Sequence, residues 1–238
     1  MQDITLSTSQ SESMLSYEEF RNEVLKDYGI AIESREASLL GRREVLTGKA
    51  KFGIFGDGKE VAQVAMAKFF KPGDWRSGYY RDQTFMMAIG HATAEQIFAQ
   101  LYADPDPNND PNSSGRQMNS HFSTRNENEQ EEWLDLAGIK NTASDMAPTA
   151  AQMPRSIGIA YASKAFREVE QLKAFRGLSD NGNEVCFTTI GDASTSEGHF
   201  WETMNAAAVL QIPLAVFVWD DGYGISVPKK YQTVKASI

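Results

Sequence analysis

Two short apolar runs, Glu184 to Ile190 and Leu214 to Trp219, flank a helical stretch from Glu197 to Leu210, and each run ends in acids. Both runs are short and rich in β-branched or aromatic residues, which suits strands buried on both faces of a parallel sheet. Strand, helix, strand in this length predicts a right-handed crossover and an α/β fold with a parallel sheet flanked by helices. In such a sheet, ligands bind beyond the carboxyl ends of the strands. Here the first strand runs into Gly191, Asp192, Ala193 and the second into Asp220, Asp221, Gly222, Tyr223. If the strands are neighbours, Asp192 and Asp221 can supply two hard oxygen ligands to one small divalent cation such as magnesium. Gly191 allows close backbone approach to a ligand. Thr195 and Ser196 are candidate caps for the next helix, whose N-terminus favours phosphate.

The alternative is that these acids are turn residues and helix caps only. A second Gly-Asp turn, Gly56, Asp57, Gly58, shows the danger of reading one such turn alone. The position matching Asp221 after Asp57 is Met86, so no second ligand follows, and this copy reads as a helix-opening turn.

The formal charge of -9 argues against nucleic acid or an anionic membrane as the main partner. It also means that an anionic ligand needs a metal or local arginines to hold it. The one cysteine, Cys186, excludes an intramolecular disulfide framework, fits a reducing cytosol and reads as a small buried hydrophobe. The most apolar stretch, Ile212 to Trp219, is too short for a membrane span. Met1 to Ser13 is polar, lacks signal-peptide features and reads as a loose arm. The 238 residues suit an arm with helices over residues 1–50 and one α/β domain over residues 51–238.

Upstream, periodicity predicts a helix from Ser16 to Tyr28, capped by Ser16, with Phe20, Val24 and Leu25 on one face. A second helix is expected over Ile32 to Leu46. The Gly56 turn opens a third, with Val61, Val64, Ala65 and Phe69 as its apolar positions. Trp75 to Tyr80 reads as extended and Thr93 to Leu101 as helical. Asp104 to about Arg125 reads as a long exposed loop. Gln152 to Phe175 reads as a helix with Ile157, Tyr161, Ala165 and Val169 on one face.

Gly191, Asp192, Ala193 with Asp220, Asp221, Gly222, Tyr223 resembles the thiamine diphosphate signature, normally Gly-Asp-Gly followed by Asn-Asn. More narrowly, Asp192 to Gly198 and Tyr223 to Ser226 resemble the α subunit of 2-oxo acid dehydrogenases, the decarboxylating first component of those complexes. Tyr80, Arg81, Asp82; Gly115 to Met118 with His121; and Gln152, Met153, Pro154 extend the match, in the family's order, over about Phe52 to Ser226. The Gly115 to Met118 segment followed by His121 looks more like the branched-chain enzymes than the pyruvate enzymes.

The resemblance implies thiamine diphosphate and magnesium as cofactors. Asp192 and Asp221 would bind the metal by side chains and Tyr223 by its carbonyl, with Tyr80 and Arg81 at the diphosphate. Thr149, Gly191, Ala193 and Asp221 are further cofactor-binding candidates, and His121 is a candidate substrate or catalytic residue. Two departures stand out: Ala193 replaces the third glycine, and Asp220 and Asp221 replace two asparagines, adding negative charge beside an anionic diphosphate. The resemblance also implies a β subunit or β-like second half that activates the cofactor ring, a lipoyl-bearing transacylase, a 2-oxo acid substrate, an oligomer and a cytoplasmic setting. The chain reads as the front piece of a longer α or fused chain, inactive in decarboxylation by itself. Pyruvate or acetoin dehydrogenase is the near alternative, and a non-catalytic relative without cofactor binding is the distant one.

Overall fold

A computed structural model describes residues 15–235, so the arm expected over Met1 to Ser13 lies outside the described residues. The first helix, α1 (Tyr17–Leu46), is one continuous element and not the two expected. Gly29 costs a helix interior only about 1 kcal/mol, and no proline interrupts it. Ser16 caps it reciprocally: its hydroxyl accepts from Glu19 N at 3.3 Å while the Glu19 carboxylate accepts from Ser16 N at 2.8 Å. The expected face of Phe20, Val24 and Leu25 is exposed; the buried stripe is Ser34, Ala37, Ser38, Gly41 and Glu44. Small residues are needed there because the next layer approaches closely. Gln83 Nε2 donates to Ser34 O at 2.9 Å and to Ser38 Oγ at 3.0 Å, and the Ser34 and Thr84 hydroxyls lie 2.7 Å apart.

The helix after the Gly56 turn, α2 (Glu60–Ala67), is followed by β1 (Trp75–Ser77), α3 (Gln83–Ala88) and α4 (Ala94–Leu101). Of the apolar positions expected to face inward from α2, only Val64 is buried. Val61, Ala65 and Phe69 face out, while Gln63, Met66 and Phe70 point in. Gln63 is buried because it serves the backbone, accepting from Phe85 N at 2.9 Å and donating to Arg81 O at 2.7 Å. The stretch from Asp104 to Arg125 is irregular as expected, but it is not wholly exposed. Asp110 is fully buried and accepts from Ser113 N at 3.1 Å and Gly115 N at 2.9 Å, and Asn119 to Phe122 are buried as well. A carboxylate that satisfies several loop N–H groups does locally what a helix or strand would do.

Next come β2 (Asn141–Thr142), α5 (Gln152–Glu168), β3 (Cys186–Gly191), α6 (Gly198–Leu210) and β4 (Leu214–Trp219). The α5 helix ends earlier than expected, giving way to a 3-10 turn at Glu170–Ala174. Its inner face is Met153, Ser156, Ala160 and Ser163, whereas Tyr161 and Val169 are exposed. The four strands form one parallel sheet in the order β2-β1-β3-β4, with α6 as the crossover between its last two strands. The predicted α/β class and the parallel sheet are thus observed.

Alternation along β3 divides the core. Phe187 packs toward Phe70, Phe85, Met86 and Trp219, with Phe70 meeting Phe85 and Phe187 edge-on at ring separations of 5.2 and 5.1 Å. Ile190 faces the other way, onto Ala150, Met153 and Phe200. Cys186 is fully buried, and burial pushes its thiol up to about 12, so it packs as a hydrophobe. A short antiparallel pair, β5 (Tyr223–Gly224) and β6 (Val227–Pro228), follows β4.

One buried network holds the upper end of this sheet. Arg76, at the centre of β1, donates to Asp82 at 2.8 Å and to both oxygens of Asp145 at 3.0 and 3.1 Å, and all three side chains are fully buried. Removing one partner of such a buried cluster leaves uncompensated charge. Arg76→Met should therefore cost about 3–5 kcal/mol in urea unfolding. A loss below about 1 kcal/mol, the level of a surface pair, would contradict the central place given to this arginine.

Candidate active site: a cleft at the strand ends

Parallel pairing of β3 with β4 sets Gly191 opposite Trp219, so the residues just beyond, Asp192 and Asp220, emerge together. Asp192 N donates back to Trp219 O at 3.4 Å. The helix after β3 does not begin at once. A 3-10 turn spans Ala193–Ser196, and α6 starts only at Gly198 with Glu197 in the cap position and no side-chain cap bond. Thr195 and Ser196 are therefore not the caps expected of them; the Thr195 hydroxyl instead donates to Asp192 O at 2.6 Å. That bond tightens the turn that carries Asp192.

An open cleft of about 280 Å³ lies above these strand ends. Its walls bring together Tyr80, Arg81, Thr149, Gly191, Asp192, Ala193, Asp221 and Tyr223, all of the cofactor and metal candidates. Each is placed by a specific contact. Gly191 faces Tyr79, whose hydroxyl would lie 3.2 Å from any added Cβ. The methyl of Ala193 packs against Gly224, where an added Cβ would come within 2.7 Å of it, so the extra carbon relative to glycine fills space beside the small hairpin. Thr149 O meets the ring Nε2 of His199 at 3.0 Å, which ties its loop to the first turn of α6. His199 is partly exposed.

Arg81 donates to Phe55 O at 2.5 Å, and its guanidinium carbon lies 5.2 Å from the centre of the Tyr80 ring. Because Gln63 holds Arg81 O and the Gly56 backbone packs directly on that same oxygen, the arginine is fixed from two sides. No side chain fits at Gly56 for that reason. A planar, always-charged fork held in this way is suited to phosphate oxygens.

His121 does not line the cleft. It is buried behind Tyr80, ring centres 6.5 Å apart, with Nδ1 3.1 Å from Asn119 O and Nε2 lacking a partner. Its backbone is clamped by Gln100, whose side chain donates to His121 O at 2.6 Å and accepts from His121 N at 3.2 Å. Sequence reasoning did not single out seven other residues of the cleft wall, among them Tyr79, Glu197, Trp219 and Gln232. Glu197 stands inside the matched Asp192 to Gly198 motif and was within reach; nothing in the sequence marks Gln232.

The electrostatics centre on Asp192. It is 3% exposed, and its Oδ2 has no hydrogen-bond partner. Burial raises its pKa most; the Ala193 N–H bond pulls it down, and the charges of Asp221 and Asp220 push it up again. Asp221 is bonded to Lys59 Nζ at 3.0 Å, and Asp220 is paired with Lys229, which holds its carboxyl below the usual carboxylate range. A buried carboxylate oxygen without a donor, beside a second carboxylate, fits a hard divalent cation. Among the described residues no cluster of three or more His, Cys, Asp or Glu side chains is placed to hold a metal. Any metal here thus relies on two carboxylates, backbone carbonyl oxygen and the ligand itself.

A parallel sheet flanked by helices, with an open cleft at its strand ends, defines the class: an α/β fold consistent with a diphosphate-binding module. Comparison with known proteins narrows it, since the dehydrogenase E1 component family matches residues 37–238 and the chain belongs to that family. It is 30% identical over 193 residues to the 2-oxoisovalerate dehydrogenase α subunit of Bacillus subtilis, covering 81% of this chain and 49% of that one. It is 29% identical over 185 residues to the mitochondrial counterpart of Caenorhabditis elegans, covering 78% and 36%. The pyruvate dehydrogenase E1 α subunit of Acholeplasma laidlawii is 25% identical over 209 residues, covering 86% and 48%. The chain thus spans half or less of the length of these relatives.

The raised pKa of Asp192 has a stability consequence. The folded protein holds this proton more tightly than the unfolded chain, so stability falls as pH rises between the two pKa values and the penalty is complete above the folded one. Asp192→Asn should raise the ligand-free protein's stability at neutral pH by about 1 kcal/mol and flatten that fall in urea unfolding. Lower stability in the variant would contradict an unpartnered charge at this position.

Proposed function

We propose that this chain binds thiamine diphosphate through magnesium and serves as the α part of a branched-chain 2-oxo acid dehydrogenase. The observation that carries this reading is the unpartnered, buried Asp192 oxygen at the end of β3 beside Asp221 and Arg81 in one cleft. Magnesium would be held by the Asp192 and Asp221 carboxylates and the Tyr223 carbonyl, and the diphosphate by Arg81 and Tyr80. Gly191, Ala193 and Thr149 would meet the cofactor largely through backbone. The bound cofactor supplies the carbanion chemistry; the chain positions it, and charge on the diphosphate is met by the metal and the fixed guanidinium. His121, with its free Nε2 behind Tyr80, is the residue proposed to face the substrate once neighbouring elements assemble.

Residues 51–238 form the proposed diphosphate-binding domain, with residues 1–50 as its arm. A β subunit or β-like half would activate the cofactor ring, and a lipoyl-bearing transacylase would take the acyl group. Support for a covering partner comes from α1 and α6, where Tyr17, Phe20, Tyr28, Trp201 and Val209 are exposed, and from β4, whose outer residues are only half-buried. No helix among the described residues is long and apolar enough to cross a membrane. We place the activity in the cytoplasm, where a lone buried thiol stays reduced. The branched-chain choice rests on the 2-oxoisovalerate relatives and on Gly115 to Met118 followed by His121.

Calorimetric titration tests the reading. Thiamine diphosphate should bind with magnesium present and lose most of its affinity in chelator; metal-independent binding would sink the proposed site. In the full assembly, kcat/KM should be higher for 3-methyl-2-oxobutanoate than for pyruvate, and the reverse order would favour a pyruvate enzyme.

A further inference from the structure

We propose that the turn Gly56 to Lys59 is a working part of the cleft, and that Lys59 is the internal counter-charge that lets Asp221 stand beside a diphosphate. This inference rests on the function proposed above. The turn looks like an isolated helix opening, yet it delivers the Lys59 ammonium to Asp221 Oδ2 at 3.0 Å, across 162 positions of sequence. The Lys59 side chain is only 11% exposed, so the lysine end of the pair is held in the fold while Asp221, 45% exposed, faces the cleft.

The turn is built to hold that position. Arg42 bonds Asp57 at 2.5 Å, and the Glu60 carboxylate accepts from Gly58 N at 2.9 Å while Arg35 holds it at 3.2 Å. The same turn presents Phe55 O to Arg81, so the two cations at the cleft share one support.

Charge explains the need. Asp192, Asp220 and Asp221 place three carboxylates at the strand ends, where Lys59, Lys229 and Arg81 supply three cations. With Glu197 also in the cleft wall, the acids outnumber the cations by one before a metal and a diphosphate arrive, and loss of Lys59 would widen that excess. Lys59 competes with a metal for Asp221 and favours the anion. Removing its charge should have opposite effects on the two ligands.

Calorimetry on the full chain, with magnesium alone and with thiamine diphosphate at saturating magnesium, reads both. Lys59→Met should tighten magnesium and weaken the cofactor, each about tenfold. Asp221→Asn should weaken magnesium. In the double variant the cofactor should bind near its original strength, because the lost cation no longer leaves an uncompensated carboxylate. Damage to folding would weaken both ligands together, and urea unfolding of each variant checks for it. Constants unchanged in Lys59→Met, changes of the same sign, or a cofactor loss that persists in the double variant would overturn the inference. If the unaltered protein binds no cofactor with magnesium, the proposed function falls and this inference with it. If it binds and Lys59→Met has no effect, only this inference falls.

Discussion

A guanidinium with no access to water, Arg76, is the point on which the upper half of the molecule depends. Burial alone would pull its pKa down, but Asp145 and Asp82 more than offset that and keep it charged. Its partners reach β3, β4 and the loops at Tyr79 and Phe122. Asp82 accepts from the Thr189 hydroxyl of β3 at 2.5 Å and from Trp219 Nε1 of β4 at 2.8 Å. Asp145 accepts from Phe122 N at 3.0 Å, next to His121, and Arg76 itself donates to Tyr79 O at 3.1 Å. Burying these charges costs several kcal/mol per ion, repaid only when nearly all donors and acceptors are satisfied. Here the geometry meets that condition. The network therefore fixes one arrangement of three strands and two loops rather than simply adding stability.

The cleft above it is built on the opposite principle. Asp192 lies at the end of a satisfied strand, yet one of its oxygens is left without a donor. Tyr79, whose phenol is kept protonated by burial first and by Asp82 next, forms the floor without adding charge. Rigidity below and unmet polarity above are what a preorganised cation and phosphate site requires. Lys59 and Lys229 limit how much unmet charge the fold itself must carry.

Much of this was legible in the sequence where local chemistry and tertiary structure agree. The runs ending at Ile190 and Trp219 announced parallel strands because strands buried on both faces are apolar throughout, and the acids that follow had to share one edge. Helix faces were less legible. Phe20, Val24 and Leu25 have the right spacing, but the face of α1 that meets the next layer is the one that permits close approach, at Ser34, Ala37 and Ser38. Gln63 is buried for the same kind of reason, as it serves a distant backbone that periodicity cannot register. Thr195 looked like a cap because the 3-10 turn before α6 has no sequence mark of its own. The Lys59 pairing joins two turns far apart in the chain, so the Gly56 copy reads only as a helix-opening turn when judged against its own following residues.

The central claim is that Asp192 and Asp221 share one metal that carries a diphosphate. The most direct test is a crystal structure of the chain grown with thiamine diphosphate and manganese, located by anomalous scattering. The account predicts a single metal peak at roughly 2.0–2.2 Å from both carboxylates and the Tyr223 carbonyl, with diphosphate oxygens completing its shell beside Arg81. A diphosphate bound without metal, or a metal that leaves Asp192 untouched, would contradict it.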